Sequence, residues 1–162
     1  MQPLALLQLL ALLSLANGTP VIAKKLLGDR FAWPLDGGRN FFDGRPVFGS
    51  SKTVRGIVLS ILATGAGAPL VGLAPEIGVL VGGTAMAGDL VSSFTKRRLG
   101  RPSSGRATGL DQIPESLFPL LACRNALALS AADIVLGVAL FTFGEIFASR
   151  LLYRWHLRDR PY

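Results

Sequence analysis

Residues 54–94 read VRGIVLSILATGAGAPLVGLAPEIGVLVGGTAMAGDLVSSF, and between 57 and 88 the only charged side chain is Glu76. One bilayer crossing needs ~20 apolar residues, each rising ~1.5 Å through a hydrocarbon core of ~30 Å. This stretch is therefore long enough for two crossings. Leu73-Ala74-Pro75-Glu76 places a proline and a charge midway, which predicts a tight hairpin outside the bilayer. Working outward, residues 3–22 supply one further span, and residues 117–150 suggest a pair that turns near 130–133; its first member carries Arg124 inside it and is short if it begins at Leu117, so an earlier start or a tilt stays open. The expected fold is all-α and polytopic, with about five transmembrane helices.

Composition agrees with that reading. The 162-residue, 17.1 kDa chain is 50% hydrophobic, has a mean hydropathy of +0.46 and still carries a net charge of +7. A disordered basic tail is excluded, and so short a chain has too little interior to hide that apolar surface as an ordinary soluble domain. The single cysteine, Cys123, excludes an internal disulfide and a multi-cysteine zinc site, and the single histidine, His156, argues against histidine-based catalysis.

Every Lys and Arg except Arg124 falls in one of three blocks, 24–56, 89–115 and 150–160. Five spans with an external N-terminus put all three blocks and the C-terminus on the cytoplasmic side, as the positive-inside rule requires. An even number would carry one block across. The first apolar run competes with a signal peptide, but no basic residue precedes it, Lys24 and Lys25 follow it, and no A-x-A site is present; it is read as a retained helix. The chain is thus expected to form a single membrane-embedded domain over 1–162, with cytoplasmic loops at about 24–53 and 95–116, in the cell membrane.

The first loop combines Gly37, Gly38, Gly44, Gly49 and Gly56 with Lys52 and Arg55. Glycines let backbone amides approach a ligand, and the cations suit phosphate. Phe41, Phe42 and Phe48 are suited to docking the loop on the membrane face. Gly49-Ser50-Ser51-Lys52-Thr53 is not a P-loop, because the glycine spacing is wrong and no strand precedes it. In the second loop, Asp89, Ser93, Lys96 and Arg97 follow i, i+4, i+7, i+8 and share one helix face. One carboxylate and two cations there could seat Mg²⁺ and phosphates. Plainer readings stand beside this one: Lys96-Arg97-Arg98 as a topogenic, headgroup-binding cluster, Asp89 as a helix-end carboxylate paired with Lys96, Arg124 and Glu145 as inward-facing polar residues, His156 as interfacial, and Cys123 as packing.

Taken together, these segments resemble the CDP-archaeol synthase family, a branch of the membrane cytidylyltransferases that includes phosphatidate cytidylyltransferase. The matching pieces lie in order: Ala16-Asn17-Gly18 with Pro20; Pro34-Leu35-Asp36-Gly37-Gly38, Asp43-Gly44-Arg45 and Phe48 through Gly56; Gly88-Asp89-Leu90 with Ser93-Phe94-Thr95-Lys96-Arg97-Arg98; Leu110-Asp111-Gln112; and the closing Leu152-Tyr153 and Arg160-Pro161-Tyr162. Relative to phosphatidate cytidylyltransferase, Thr95 stands at a usually apolar position, and a Lys-Asp pair and a Gly-His-Gly-Gly run are missing around the shortened gap at 103–108. One metal-binding aspartate of the larger enzymes thus has no counterpart.

The resemblance implies Mg²⁺-dependent attack of a lipid phosphate on the α-phosphorus of CTP, giving a CDP-lipid and pyrophosphate. It implies Asp89 and Asp111 as metal ligands with Asp43 as a further candidate, and Lys52, Arg55, Lys96 and Arg97 as phosphate contacts with Arg45 and Arg98 secondary. Ser93 and Gln112 would orient water or nucleotide, Asp36 would belong to the CTP site, and Asn17 would meet the lipid headgroup region. The acceptor stays open among an unsaturated ether phosphate, a diacyl phosphate and another polyprenyl-type lipid, and the oligomeric state stays open too. The rival class is a non-catalytic scaffold or small transporter subunit whose basic loops bind anionic lipid. Nucleic acid is disfavoured as a partner, because the basic residues follow topology and few aromatics intersperse with them.

Overall fold

Helix α1, Pro3–Leu27, contains Pro20, which has no N–H to give the carbonyl of Ala16 four residues earlier. Ser60 of α2, Val54–Gly67, donates its hydroxyl to that carbonyl at 2.8 Å. Inside a bilayer no water could do so, and the hydrogen bond fastens α1 to α2 at the level of Asn17. A computed structural model describes residues 1–103 and 109–154, with side chains to Ser149. Residues 104–108 of the shortened gap, His156 and the closing Arg160-Pro161-Tyr162 lie outside the described residues.

A 3-10 turn, Ala68–Val71, and a left-handed Gly72 end the second crossing, and α3, Pro75–Arg98, starts at the expected proline. Gly78 and Gly82 of α3 face α2: a methyl group at Gly78 would lie 2.7 Å from Cβ of Ala68, and one at Gly82 would lie 2.9 Å from Cα of Ile61. Small residues spaced by four let the two helix backbones touch. α4, Gln112–Ala122, and α5, Ala131–Arg154, complete an all-helical bundle with no strand among the described residues. Its core is aliphatic, with Leu6, Leu9, Leu12, Leu13, Val81 and Leu120 among the buried side chains.

Four described helices are long and apolar enough to cross a membrane: α1, α2 with its 3-10 turn, α3 and α5. The fourth crossing differs from expectation. α4 has only 11 residues and takes the earlier start, at Gln112. It ends at Ala122, before Arg124, which is exposed in a turn instead of sitting within a span. Leu120 already reaches Leu6, near the start of α1, since both pack where a side chain at Gly137 would be. The short helix therefore covers only the half of the bundle remote from the basic loops. Ser130 and Asp133 then form a reciprocal cap that starts α5, and Asp133 also accepts the backbone N–H of Gln2 at 3.0 Å.

Replacement of Gly78 by leucine is expected to destabilise the detergent-solubilised protein by about 1–3 kcal/mol through overpacking against α2. Gly83→Ala, which meets open space, should stay within about 0.5 kcal/mol of the parent in the same thermal unfolding assay.

Candidate functional site

Gly88 sits midway along α3 and faces the start of α4. A methyl group there would lie 2.5 Å from the carbonyl carbon of Pro114 and 2.7 Å from the backbone nitrogen of Glu115. Because glycine leaves that space empty, α4 begins beside Gly88, ten residues short of Arg98 and thus roughly 15 Å inside the end of α3. The chain after Arg98 must descend to that level before α4 can start.

The antiparallel register then pairs residues across the two helices. Lys96 Nζ lies 2.6 Å from Asp111 Oδ1. Two turns deeper, Asp89 is engaged by Lys52 Nζ at 2.5 Å, the lysine arriving from just before α2. The intrahelical Asp89–Lys96 pair considered as the plainer reading does not form; each residue has a partner from another segment. Ser93, between them on the same face, is 2% exposed, and its Oγ has no hydrogen-bond partner among the described residues.

Behind the Lys52–Asp89 pair lies a second polar layer. Glu115 is buried beside Asp89 and Lys52 and is hydrogen-bonded to Asn17. The Asn17 amide also donates to Glu145 of α5 at 3.3 Å. Sequence reasoning placed Asn17 near a lipid headgroup and did not single out Glu115; the available signal was its i, i+4 spacing from Asp111.

The first loop folds over this site through one carboxylate. Asp36 accepts the backbone N–H of Gly38 at 3.0 Å, Phe48 at 2.9 Å and Gly49 at 2.8 Å. Burial opposes ionisation of Asp36, but the amides of Gly49, Phe48 and Gly38 outweigh it and hold the carboxyl below its ordinary range. Gly49 adopts φ +92°, a conformation glycine permits at little cost. At the loop tip, Asp43 pairs with Arg98 at 2.6 Å, and Arg45 donates to the Arg98 carbonyl at 2.5 Å, so the loop is bolted to the end of α3. Between loop and helix end opens a cleft of about 490 Å³, lined by Asp36, Arg45, Gly49, Arg97, Arg101 and Ser103 among others. Arg97 is buried and donates to the carbonyl of Pro102 at 2.7 Å. Three guanidinium groups and one carboxylate already held by amides make the cleft anion-seeking.

The structure thus brings Lys52, Asp89, Ser93, Lys96 and Asp111 onto one wall, and Asp36, Arg45 and Arg97 into the adjoining cleft. Two expected phosphate contacts lie elsewhere. Arg55 caps α1 by donating to the carbonyls of Gly28 and Arg30, and Arg98 holds the loop through Asp43. Gln112 accepts the N–H of Gly109 at 2.9 Å and fixes the turn into α4. Asp43 does not join Asp89 and Asp111, and no group of three or more acidic, histidine or cysteine side chains among the described residues could enclose a metal ion. Mg²⁺ is commonly held by one or two carboxylates plus substrate phosphates, and the wall offers two carboxylates, Asp89 and Asp111.

Comparison with known proteins identifies relatives. The family model described as CarS-like, CDP-archaeol synthase, matches residues 70–162. The chain is 32% identical to the CDP-archaeol synthase of Pyrobaculum calidifontis, over 91% of this chain and 90% of that protein. It is 37% identical to that of Hyperthermus butylicus, over 84% of each. A solved structure, described as an intramembrane enzyme for archaeal membrane lipids biosynthesis, superposes with a TM-score of 0.70 at 28% identity, covering 85% of this chain and 90% of that one.

The Asp36 latch has a defined pH window. A carboxyl whose pKa is depressed on folding stabilises the loop fully above the ordinary aspartate pKa, and that contribution is lost as pH falls through the depressed value. Limited proteolysis within residues 36–49 should therefore stay slow at neutral pH and accelerate only below the ordinary aspartate range, whereas Asp36→Asn should be cleaved readily at neutral pH.

Proposed function

The chain belongs to the CDP-archaeol synthase family, and from that premise we propose that it transfers the cytidylyl group of CTP to the phosphate of an unsaturated archaeal-type ether lipid, releasing pyrophosphate. It is a multi-pass membrane enzyme of the CTP-dependent lipid-phosphate cytidylyltransferase class. The observation that carries the finer reading is the convergence of the Lys52–Asp89 and Lys96–Asp111 pairs, contributed by three separate segments, directly beside an arginine-lined cleft inside a membrane bundle.

The chemistry asks little of a general base. A phosphomonoester has a second pKa of about 6, so the attacking oxygen is already largely ionised at neutral pH. A bond forms from that oxygen to the α-phosphorus of CTP while the bond to the pyrophosphate oxygen breaks, and the barrier lies mainly in bringing two polyanions together. Arg45 and Arg97 face the cleft and suit the triphosphate. Lys52 and Lys96 stand deeper, where a lipid phosphate entering from the bilayer would meet the nucleotide. Ser93, buried with no hydrogen-bond partner among the described residues, can donate to either anion. Asp89 and Asp111 would hold Mg²⁺ carried by CTP, which supplies charge neutralisation between the phosphates. With Asp89 and Asp111 so engaged, Lys52 and Lys96 would be available to phosphate oxygen. Residues 28–53 and 99–111 would face the cytoplasm, with the N-terminus outside the cell membrane, in keeping with their basic excess.

Purified protein incubated with labelled CTP, Mg²⁺ and a panel of ether, diacyl and polyprenyl phosphates tests this directly. Pyrophosphate should appear only with a lipid acceptor, and fastest with the ether lipid. Asp111→Asn is expected to lower that rate by at least about 100-fold while leaving membrane insertion unchanged. Near-parental turnover in that variant would remove Asp111 from the site.

A further inference from the structure

Two pairs of aromatic rings stand free at the loop end of the bundle. Phe31 and Trp33, just after α1, meet edge to face at 6.3 Å and are 64% and 69% exposed. Phe41 and Phe42 form the second pair, with centroids 5.0 Å apart. Phe41 is not free to move: its ring meets Phe94, in the last turns of α3, at 5.3 Å, and the Arg98 guanidinium lies over both rings at 4.8 and 4.9 Å. Phe42 is thus carried on a tip bolted to α3, yet it is 99% exposed.

Both pairs lie where a membrane-spanning helix ends, and α1 and α3 end on the same side, so the rings flank the bundle at the depth of the bilayer interface. Aromatic rings favour that layer. Lys24, Lys25 and Arg30, exposed next to the first pair, complement anionic headgroups. The segment between the two pairs carries Pro34, Asp36 and Gly38 of the cleft lining, and Arg45, Pro46, Gly49 and Ser50 follow the second pair. We propose that Phe31–Trp33 and Phe42 seat the 28–53 loop in the interfacial layer of the bilayer, so that the lipid surface itself supports the outer wall of the cleft.

Depth can be read without turnover. In a Cys123→Ala background, which removes the only cysteine, a nitroxide attached at Phe42→Cys is placed in phosphatidylglycerol-containing vesicles. It should collide more with oxygen than with a water-soluble nickel chelate, and Trp33 fluorescence, isolated by Trp155→Phe, should be quenched by brominated lipid. Greater access to nickel, or shielding from both agents as by a protein partner or a second copy, overturns the docking. The supporting role rests on the CTP reading above and has its own measure: Phe42→Asp, folded and monodisperse, should weaken CTP binding in vesicles about tenfold by lowering the closed fraction of the loop. Unchanged affinity overturns that role, whereas absence of CTP binding in the parent protein would instead count against the proposed function and leave the depth result intact.

Discussion

The absence of a side chain at Gly88 lets the backbone of Pro114 and Glu115 press against α3, and that contact sets how deep α4 begins. From it follow the antiparallel register, the meeting of Lys96 with Asp111, and the position of Glu115 beside Asp89. An α4 that began level with Arg98 would fill the space beside the charged face of α3. The short helix is therefore part of the construction of the site: what it lacks in length becomes a polar recess below the loops.

Such a recess is costly to build. Separated charges in a low-dielectric interior are strongly destabilising, and a buried ion pair mostly recovers its own desolvation. Lys96 and Arg97 are nevertheless buried, and Asp89, Asp111 and Glu115 lie close by. The bundle holds them with pairings drawn from distant segments and with neutral amides, Asn17 for Glu115 and Glu145, and the backbone for Asp36. The site's own ion pairs keep its charges neutralised in the structure, and under the proposed reaction the same groups would meet the triphosphate and the lipid phosphate.

Much of the fold was legible in the sequence because hydrocarbon imposes a length and a polarity that composition records directly. The first three crossings, the break at Pro75 and the turn before Asp133 fall where apolar runs and charges place them. α4 escaped that logic: its length is set by a glycine contact on another helix, and the run after Leu117 read as a span only because Arg124 was counted inside it. For the site, helical spacing put Asp89, Ser93, Lys96 and Arg97 on one face. It could not supply their partners, since Lys52 and Asp111 are remote in sequence from the residues they meet. The same limit explains Arg55 and Arg98, whose charges the chain uses on its own carbonyls and on Asp43, and Glu115, whose importance depends on the depth of α4.

The most direct measurement is CTP binding and CDP-lipid formation by Gly88→Ala in reconstituted membranes. The added methyl group must push α4 away from α3, and a displacement of about 1 Å at a reacting site can cost about 100-fold in rate. The account predicts retained helix content with CTP affinity and turnover both lowered, turnover by at least that factor. Parental binding and turnover in Gly88→Ala would contradict it.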